Sequence, residues 1–320
     1  MCIRDRSNSV IFFYLKRDVH NMHKQRVAIL LSHYNGSDYL REQLNSILNQ
    51  NADNFSIDIY VRDDGSNNVN LVNLRQMTSC LPINVFEGSN IGVTKSFFTL
   101  LEQVDSYDYY AFCDQDDVWL DDKISSAVTM MKDSEGPVLY CSAYTLVDAK
   151  LNLINFENHV NDSFENALFK NFCTGCTCLI NNKLRSIILK TDYTKNVPMH
   201  DWWMLMVAYL TGTVIFDQQS HILYRQHGGN VVGGRTSFIK KTRRFMFNIL
   251  SNDETRSKMY QQLLISKELY NSEKVALLEL ILNSKRNIFL RIKLVMGLGV
   301  KYAKKYESIL VKFLILIGRF

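Results

Sequence analysis

The sequence predicts an α/β protein whose first half is a doubly wound, largely parallel sheet. Two observations lead there. Short apolar runs alternate with stretches of helical period, and each run ends in a cluster of polar residues. Arg26–Ser32 (RVAILLS) is a continuous apolar run, as expected of a strand covered on both faces. His33-Tyr34-Asn35-Gly36 breaks it. Ser37 or Asp38 then caps a helix reaching about Gln50, with Leu40, Leu44, Ile47 and Leu48 on one face. A second strand, Ile57–Arg62, ends in Asp63-Asp64-Gly65-Ser66, and Asn70–Ser79 reads as a helix. Ile83–Glu87 is a third strand. Ser89-Asn90-Ile91-Gly92 leads from it into a helix through Leu101, and Tyr109–Cys113 is a fourth strand ending at Asp114.

The polar clusters His33–Asn35, Asp63–Ser66, Asn90–Gly92 and Asp114–Asp117 all follow the carboxyl end of a predicted strand. In open α/β sheets that edge is where ligands bind. Beyond Asp122 the pattern changes. Ser125–Lys132 continues a helix, Val138–Leu146 is a strand, and Glu165–Lys170 leads through Thr174-Gly175-Cys176-Thr177 to a strand at Cys178–Ile180. Asn182–Leu189 is helical, and His200-Asp201-Trp202-Trp203 opens an apolar helix to about Leu210. Gly212–Phe216 and His221–Gln226 read as a strand pair, with His227-Gly228-Gly229-Asn230 closing the globular part.

The 320 residues, 47% hydrophobic with three prolines, support a real core and argue against disorder. Val10–Leu15 and Ile309–Ile317 fall short of the roughly 18–20 apolar residues a membrane-spanning helix needs. The start lacks the pattern of a secretory signal. Met1–Ser7 matches nothing downstream and resembles translated adapter sequence. Seven cysteines, an odd number without a signal, favour a reducing cytoplasm. Cys173, Cys176 and Cys178 form a CxxCxC inside an apolar stretch, which favours packing thiols over a zinc site.

Three carboxylates in four residues, Asp114-Gln115-Asp116-Asp117, repel one another unless a cation sits between them. Oxygen donors of this kind suit Mg2+ or Mn2+, commonly bridged to substrate phosphates. A solvated acidic loop before a helix starting near Leu120 is the alternative.

Five landmarks in order resemble the family 2 glycosyltransferases of the GT-A fold, in particular their bacterial rhamnosyltransferase-like branch. They are SHYNG (Ser32–Gly36), RDDGS (Arg62–Ser66), SNIGV (Ser89–Val93), DQDDVW (Asp114–Trp119), and HDWW (His200–Trp203) with YRQHGGN (Tyr224–Asn230). The resemblance covers about Arg26 to Gly233. It implies a Rossmann-like nucleotide-binding half, a mixed sheet, and a nucleoside-diphosphate sugar donor whose leaving diphosphate is stabilised by a metal.

On this resemblance Asp114 and Asp116 hold metal and ribose, and Asp117 either supports them or caps the following helix. Asp63 reads the nucleobase and ribose edge, while Asp64, Gly65 and Ser66 shape the turn. Tyr34 stacks on the base or simply packs the loop. Asn90 and Gly92 approach the sugar or diphosphate, and Lys95 either neutralises phosphate or is solvated. Asp201 is the expected general base, with a helix cap as its rival role. His200 orients Asp201 or is exposed, and at most one of Trp202 and Trp203 faces the sugar. His227 closes over the diphosphate as a metal ligand or is structural. Relatives often read HGNN where this chain has His227-Gly228-Gly229-Asn230.

The domains expected are an N-terminal extension (1–24), a GT-A glycosyltransferase domain (25–234) and a basic amphipathic helical tail (235–320). From Arg235 onward there are 18 Lys/Arg against 6 Asp/Glu, net +12, whereas the rest is net −7. Ser237–Leu250 alternates basic and aromatic residues. After Asn287, Ile288, Phe289, Ile292, Leu294 and Val295 lie beside Lys285, Arg286, Arg291 and Lys293. Such a tail suits an anionic membrane surface bearing a lipid-linked acceptor. A solvated appendage or a dimer interface is the alternative, and no nucleic-acid motif accompanies the charge.

The expected function is a cytoplasmic, membrane-peripheral, metal-dependent inverting glycosyltransferase serving surface polysaccharide synthesis. Rhamnose is among its candidate sugars, and a glycan or lipid-linked molecule is its acceptor. A nucleotidyltransferase is a first rival, but it would carry a Gly- and Lys/Arg-rich phosphate loop that Ser32–Gly36 lacks. A non-catalytic nucleotide-binding or membrane scaffold protein is a second.

Overall fold

A computed structural model describes residues 24–158, 163–227, 247, 253–302 and 305–320. Nine strands form one mixed sheet in the order β3-β2-β1-β4-β8-β6-β9-β5, with β7 paired to β6. The strands are β1 (Gln25–His33), β2 (Phe55–Asp64), β3 (Ile83–Gly88), β4 (Tyr109–Cys113), β5 (Val118–Trp119), β6 (Val138–Asp148), β7 (Leu153–Glu157), β8 (Leu179–Asn181) and β9 (Thr213–Gln226). The first four are parallel. β8 runs antiparallel to both β4 and β6 and makes the sheet mixed, as the resemblance implied.

Side chains of a strand alternate between faces, and both faces here are covered. Ala28 and Leu30 of β1, with Tyr110 and Phe112 of β4, join one buried cluster. Val27, Ile29, Leu31, Tyr109 and Ala111 join the other. The second cluster is closed by α1 (Ser37–Leu48) and α4 (Lys123–Met131), which bury Leu40, Leu44, Ile47, Ile124 and Ala127. Leu48 is exposed, so the apolar face of α1 is narrower than its spacing suggested. Its N-cap is Gly36 rather than Ser37 or Asp38, and the Ser37 hydroxyl instead donates to Asn70 Oδ1 at 2.6 Å. On the same side α2 (Asn68–Thr78) follows β2, capped by Asn67.

The first cluster is closed by α3 (Val93–Gln103), the short α5 (Phe164–Ala167) and α6 (Asn182–Ile188), and α7 (His200–Thr211). The helices α8 (Asp253–Leu264), α9 (Ser272–Ser284), α10 (Ile288–Gly297) and α11 (Lys305–Leu316) add Met259, Leu263, Leu278, Ile281, Leu294, Val311 and Leu314 to that same core. The described part of the tail therefore shares this core and is not a solvated appendage. Residues 1–23, Ser237–Leu250 apart from Phe247, and Gly228-Gly229-Asn230 lie outside the described residues, as does the boundary expected at 234/235.

Two expectations are corrected. Gly212–Phe216 and His221–Gln226 are not a strand pair but one strand, β9, running parallel to β6 with register shifts near Ser142 and Ala143. The polar stretch Asp217–Ser220 reads as a break in sequence. It is absorbed as an irregularity, with Gln219 N–H bonded to Asp217 Oδ1 at 2.8 Å. No helix starts near Leu120. Val118–Trp119 pairs antiparallel with Ile222 and Leu223, and the helix begins three residues later, after Asp122.

Candidate active site

Strand order reverses at β1. The chain steps from β1 to β2 to β3 on one side and returns to place β4 on the other. The crevice at the carboxyl ends of β1 and β4 is thus the topological switch point where ligands bind in such sheets. The loops His33–Gly36, Asp63–Asn67 and Asp114–Asp117 converge there. Gln115 joins two of them, its amide accepting Tyr34 N–H at 2.9 Å and donating to Tyr34 C=O at 3.2 Å. A Cβ on Gly36 would stand 2.0 Å from the Gln115 amide, so only glycine leaves this clasp its space. Asn35 ties the second loop, donating its N–H to Ser66 Oγ and accepting Asn67 N–H.

Asp63 lies opposite His33 in the β1/β2 register and is buried with it. His33 Nδ1 sits 2.8 Å from Asp63 Oδ1, and Asp63 Oδ2 accepts Ser66 N–H at 2.9 Å. Burial pushes this carboxyl up, but the bonds from Ser66 and His33 outweigh it and hold the group below its usual range. Asp64 shapes the neighbouring turn. Its oxygens accept the N–H groups of Ile91 (2.9 Å) and Gly92 (2.8 Å) at the start of α3, a place that favours negative charge. Gly65, at φ +78°, passes so close to Asn90 that a Cβ would meet its nitrogen at 2.5 Å. Asn90, Gly92 and Lys95 are exposed on the rim, and Tyr34 is 47% exposed with its ring free to meet a planar ligand.

The acidic loop is gripped from beneath. Three buried polar residues at one side of α1 and its exit, Gln43, Ser46 and Gln50, face it at roughly helical spacing. Gln43 donates to Cys113 Sγ, Ser46 Oγ accepts Trp119 N–H at 3.0 Å, and the Gln50 amide holds Leu120 C=O and Ile124 N–H. From the far end of β9, buried Arg225 donates its N–H to Asp117 Oδ1 at 3.0 Å and its Nε to Asp116 C=O at 2.8 Å. The guanidinium continues to Ala149 C=O and Glu42, and lies 4.5 Å over the Tyr39 ring. Asp117 is therefore not the cap of the next helix but a buried partner of β9.

The structure sorts the acids into two groups. Ligand atoms of Asp114, Asp117 and Cys176 all lie within 4.8 Å of one another. Asp116 is instead paired with His227, Oδ2 to Nε2 at 2.8 Å, and the His227 ring packs 4.9 Å from Tyr39. Burial raises the Asp114 carboxyl well above the carboxylate range, and Asp117, Asp116 and Asp201 raise it further. Burial and Asp116 raise Asp117 in the same way. Lys123, buried under the loop with Nζ 2.9 Å from Cys176 C=O and 4.6 Å from the Trp119 ring, offsets part of this charge. Its own pKa is lowered by burial. The Oδ2 atom of Asp117 is buried without a hydrogen-bond partner. An orphaned oxygen beside a second, electrostatically strained carboxylate fits a hard divalent cation. Cys176, a thiol kept protonated by burial and by the two acids, is the weakest donor of the three.

Across the cleft Asp201 is buried in the first turn of α7, where Met199 is the N-cap. Its Oδ1 accepts Trp202 N–H at 2.6 Å and its Oδ2 accepts Gly175 N–H at 3.1 Å, and Asn171 adds a side-chain bond. Burial raises its pKa to about 6, with the bonds from Trp202, Gly175 and Asn171 pulling the other way. His200 neither orients Asp201 nor is exposed. It is buried between Phe97 (4.2 Å) and Phe112 (5.7 Å) with both ring nitrogens unpartnered, and burial lowers its pKa to about 3. Trp202 and Trp203 are both core residues bonded to Ala167 C=O and Thr191 Oγ1, so neither offers a sugar platform.

Sequence reasoning missed Arg225, Lys123, Gln115 and Cys176. One signal was present: the Gly175-Cys176 turn directly before a strand that pairs with β4.

Comparison with known proteins agrees with this geometry. Residues 28–182 match the family described as glycosyl transferase family 2. The dTDP-rhamnosyl transferase RfbG of Shigella flexneri is 30% identical over 224 residues, 66% of this chain and 76% of that protein. An uncharacterized glycosyltransferase of Rickettsia typhi is 25% identical over 223 residues, 65% of this chain and 66% of its own length. Among solved structures, residues 1–349 of S. aureus TarS in complex with UDP-GlcNAc share the fold at TM-score 0.52 and 14% identity, over 92% of this chain and 91% of that one. The mannosyltransferase PcManGT from Pyrobaculum calidifontis, in complex with GDP-Man and Mn2+, does so at TM-score 0.51 and 14% identity, over 97% and 92%. At that identity both neighbours speak for the fold.

Proposed function

Since the chain belongs to glycosyl transferase family 2, in its rhamnosyltransferase-like branch, we propose that it is an inverting, metal-dependent glycosyltransferase using a nucleoside-diphosphate sugar. The observation that carries this reading is the nearness of a cation-seeking acidic loop (Asp114–Asp117) to a buried carboxylate, Asp201, whose charge adds to that on Asp114.

Each residue has a role that its surroundings support. Tyr34 stacks on the base and Asp63, held rigid by His33 and Ser66, reads the base and ribose edge. Asn90 and Gly92 line the sugar and diphosphate side. Asp114 and Asp116 hold metal and ribose, with Asp117 and His227 completing the set. When bound, Mg2+ or Mn2+ supplies positive charge to the departing diphosphate.

Asp201 is the general base. A carboxyl whose pKa is near 6 is ionised at neutral pH yet basic enough to take a proton in the transition state. The N–H groups of Trp202 and Gly175 fix its plane, so that it removes the acceptor hydroxyl proton as that oxygen attacks the anomeric carbon in line. One carboxylate in this position suffices for inversion because the leaving group needs no general acid when its charge is neutralised.

The donor proposed first is a dTDP-linked deoxysugar such as rhamnose, by similarity to the Shigella relative, and the acceptor is a glycan or lipid-linked intermediate of surface polysaccharide synthesis. The proposed setting is the cytoplasmic face of the cell membrane, reached by peripheral attachment through the basic C-terminal helices. No described helix is long and apolar enough to cross a membrane. A panel of nucleotide sugars, assayed for nucleoside-diphosphate release with and without Mg2+ or Mn2+, tests the reading.

A further inference from the structure

We propose that the outer sides of α10 and α11 form a single docking face for an anionic lipid bilayer, lying flat in the headgroup region. This deepens and rests on the peripheral attachment proposed above, but not on the sugar chemistry. On α10 the residues Ile288, Phe289, Ile292 and Met296 fall on one side of the helix by their spacing. All are exposed, Phe289 by 79% and Met296 by 83%. The opposite side buries Leu294 in the main core. On α11, Ile309 (68% exposed), Phe313 (54%), Leu316 and Ile317 make a second such stripe, while Val311, Leu314 and Ile315 are buried behind it. Leu294 and the half-buried Val295 thus drop out of the lipid-facing set suggested by sequence, and Met296 and the α11 stripe enter it.

A helix that is apolar all round is normally buried all round. Both helices carry apolar residues on two sides, with a few charged residues between them, yet only one of those sides is covered. The two stripes are held together: Arg291 reaches from α10 to Leu316 C=O, and its guanidinium packs against Gly318. The rest of the Arg291 donors go to Ser284 and Lys285 carbonyls, which takes its charge away from the surface.

Charge selects the occupant. Residues 285–320 hold nine Lys/Arg and one Asp/Glu, and that acid, Glu307, is buried. Arg286, Lys293, Lys301, Lys305 and Arg319 are exposed around the stripes. A second copy of this face would bring like charges together in a two-fold contact, whereas anionic headgroups match it. With no described helix long and apolar enough to span the bilayer, the proposed pose is monotopic. The face is also coupled to the cleft. The backbone of Lys301 and the Tyr302 hydroxyl hold Asn166 through bonds of 2.9 to 3.0 Å. Five residues on, Asn171 bonds the carboxylate of Asp201. The bilayer-facing helices are thus clamped to the segment that leads to the acceptor side of the cleft.

The test is co-sedimentation of the full chain with phosphatidylglycerol/phosphatidylcholine vesicles and with pure phosphatidylcholine vesicles. The wild type should bind the mixed vesicles, and raising the salt should release it as the screening length shrinks. The exposed double variants Phe289→Asp/Met296→Asp and Lys293→Glu/Lys305→Glu should each weaken partitioning by at least about tenfold, from roughly fivefold per basic residue near an anionic surface. Circular dichroism and binding of a nucleoside diphosphate with Mn2+ should stay as in the wild type. Vesicle binding that persists in both variants would remove the face from the account while leaving attachment in place. No binding of the wild type would remove both. A wild-type dimer by light scattering, abolished by Phe289→Asp/Met296→Asp, would reassign the face to self-association. In each case the Mn2+-nucleotide binding control reports separately on the transferase reading.

Discussion

Arg225, at the end of β9, donates its backbone N–H to the carboxylate of Asp117 at 3.0 Å, while its side chain reaches the Asp116 carbonyl. One residue from the last core strand thereby sets the conformation of an acidic loop more than a hundred positions earlier. Arg225→Ala would leave the Asp116 and Ala149 carbonyls without this partner and open a cavity beside Tyr39. The expected cost is about 3–5 kcal/mol, read as a lowered denaturant midpoint. Arg225→Lys keeps the charge but not the planar fork, so it should recover part of the stability while Mn2+-dependent nucleotide binding stays weak. Wild-type stability and wild-type nucleotide binding in Arg225→Lys would argue that Arg225 acts through charge alone.

Asp201→Asn should lose transfer by at least about a hundredfold while donor binding is retained. It should also flatten the pH dependence of stability. The folded pKa of about 6 lies above the unfolded value of 3.8, so the ionised form is disfavoured in the native state. Stability from this group is unaffected below pH 4, falls as pH rises toward 6, and is fully lost above that. Removing the charge returns roughly 1–3 kcal/mol at pH 7, but the Asn amide NH2 then faces the N–H of Trp202 or Gly175 at a similar cost, so the signature is a melting temperature that no longer falls between pH 4 and 7. A variant that loses donor binding along with transfer would assign Asp201 to another task.

The same group sets the pH profile. For the wild type kcat/KM should rise through an apparent pKa of about 6 and level off above it. A rate that falls across this range would require a protonated Asp201, and with it a different mechanism.

Cys176 is close to Asp114 and Asp117 but stays a thiol, so the hard ion depends on the carboxylates. Cys176→Ser should keep Mg2+-dependent turnover within about threefold, whereas Asp114→Asn should lower it by about a hundredfold or more. Titration of Mg2+ against turnover distinguishes these outcomes.

Gly65→Ala places a side chain at φ +78° and 2.5 Å from the Asn90 nitrogen. About 1–3 kcal/mol of stability should be lost, with a raised KM for the donor as Asn90 is pushed outward. A neutral melt with unchanged KM would mean the loop relaxes without consequence.

Much of this was legible in sequence for a physical reason. Buried parallel strands such as β1 and β4 read as apolar runs, and β2 and β3 are rich in β-branched and aromatic residues, so all four and the polar loops at their ends could be found within a residue or two. What stayed hidden depends on partners remote in sequence. The two-residue β5 exists only because β9 pairs with it, and β9 was split in reading because its polar centre is a tolerated irregularity. The same applies to His200, Trp202 and Trp203. A polar or aromatic side chain at a helix start looks available to ligand, but here α7 is buried on nearly every side. Gln43, Ser46 and Gln50 show the converse: polar residues that look solvent-facing in an amphipathic pattern are buried because they satisfy the backbone of the acidic loop.

The central claim is metal-dependent transfer at the acidic loop, and Asp116→Asn tests it most directly. Nucleoside-diphosphate release from the nucleotide-sugar panel would be followed with Mg2+ or Mn2+ and after chelation, for wild type and variant. The account predicts metal-dependent turnover by the wild type and none by the variant, whose circular dichroism stays native. Turnover by Asp116→Asn at the wild-type rate, or wild-type turnover indifferent to chelation, would contradict it.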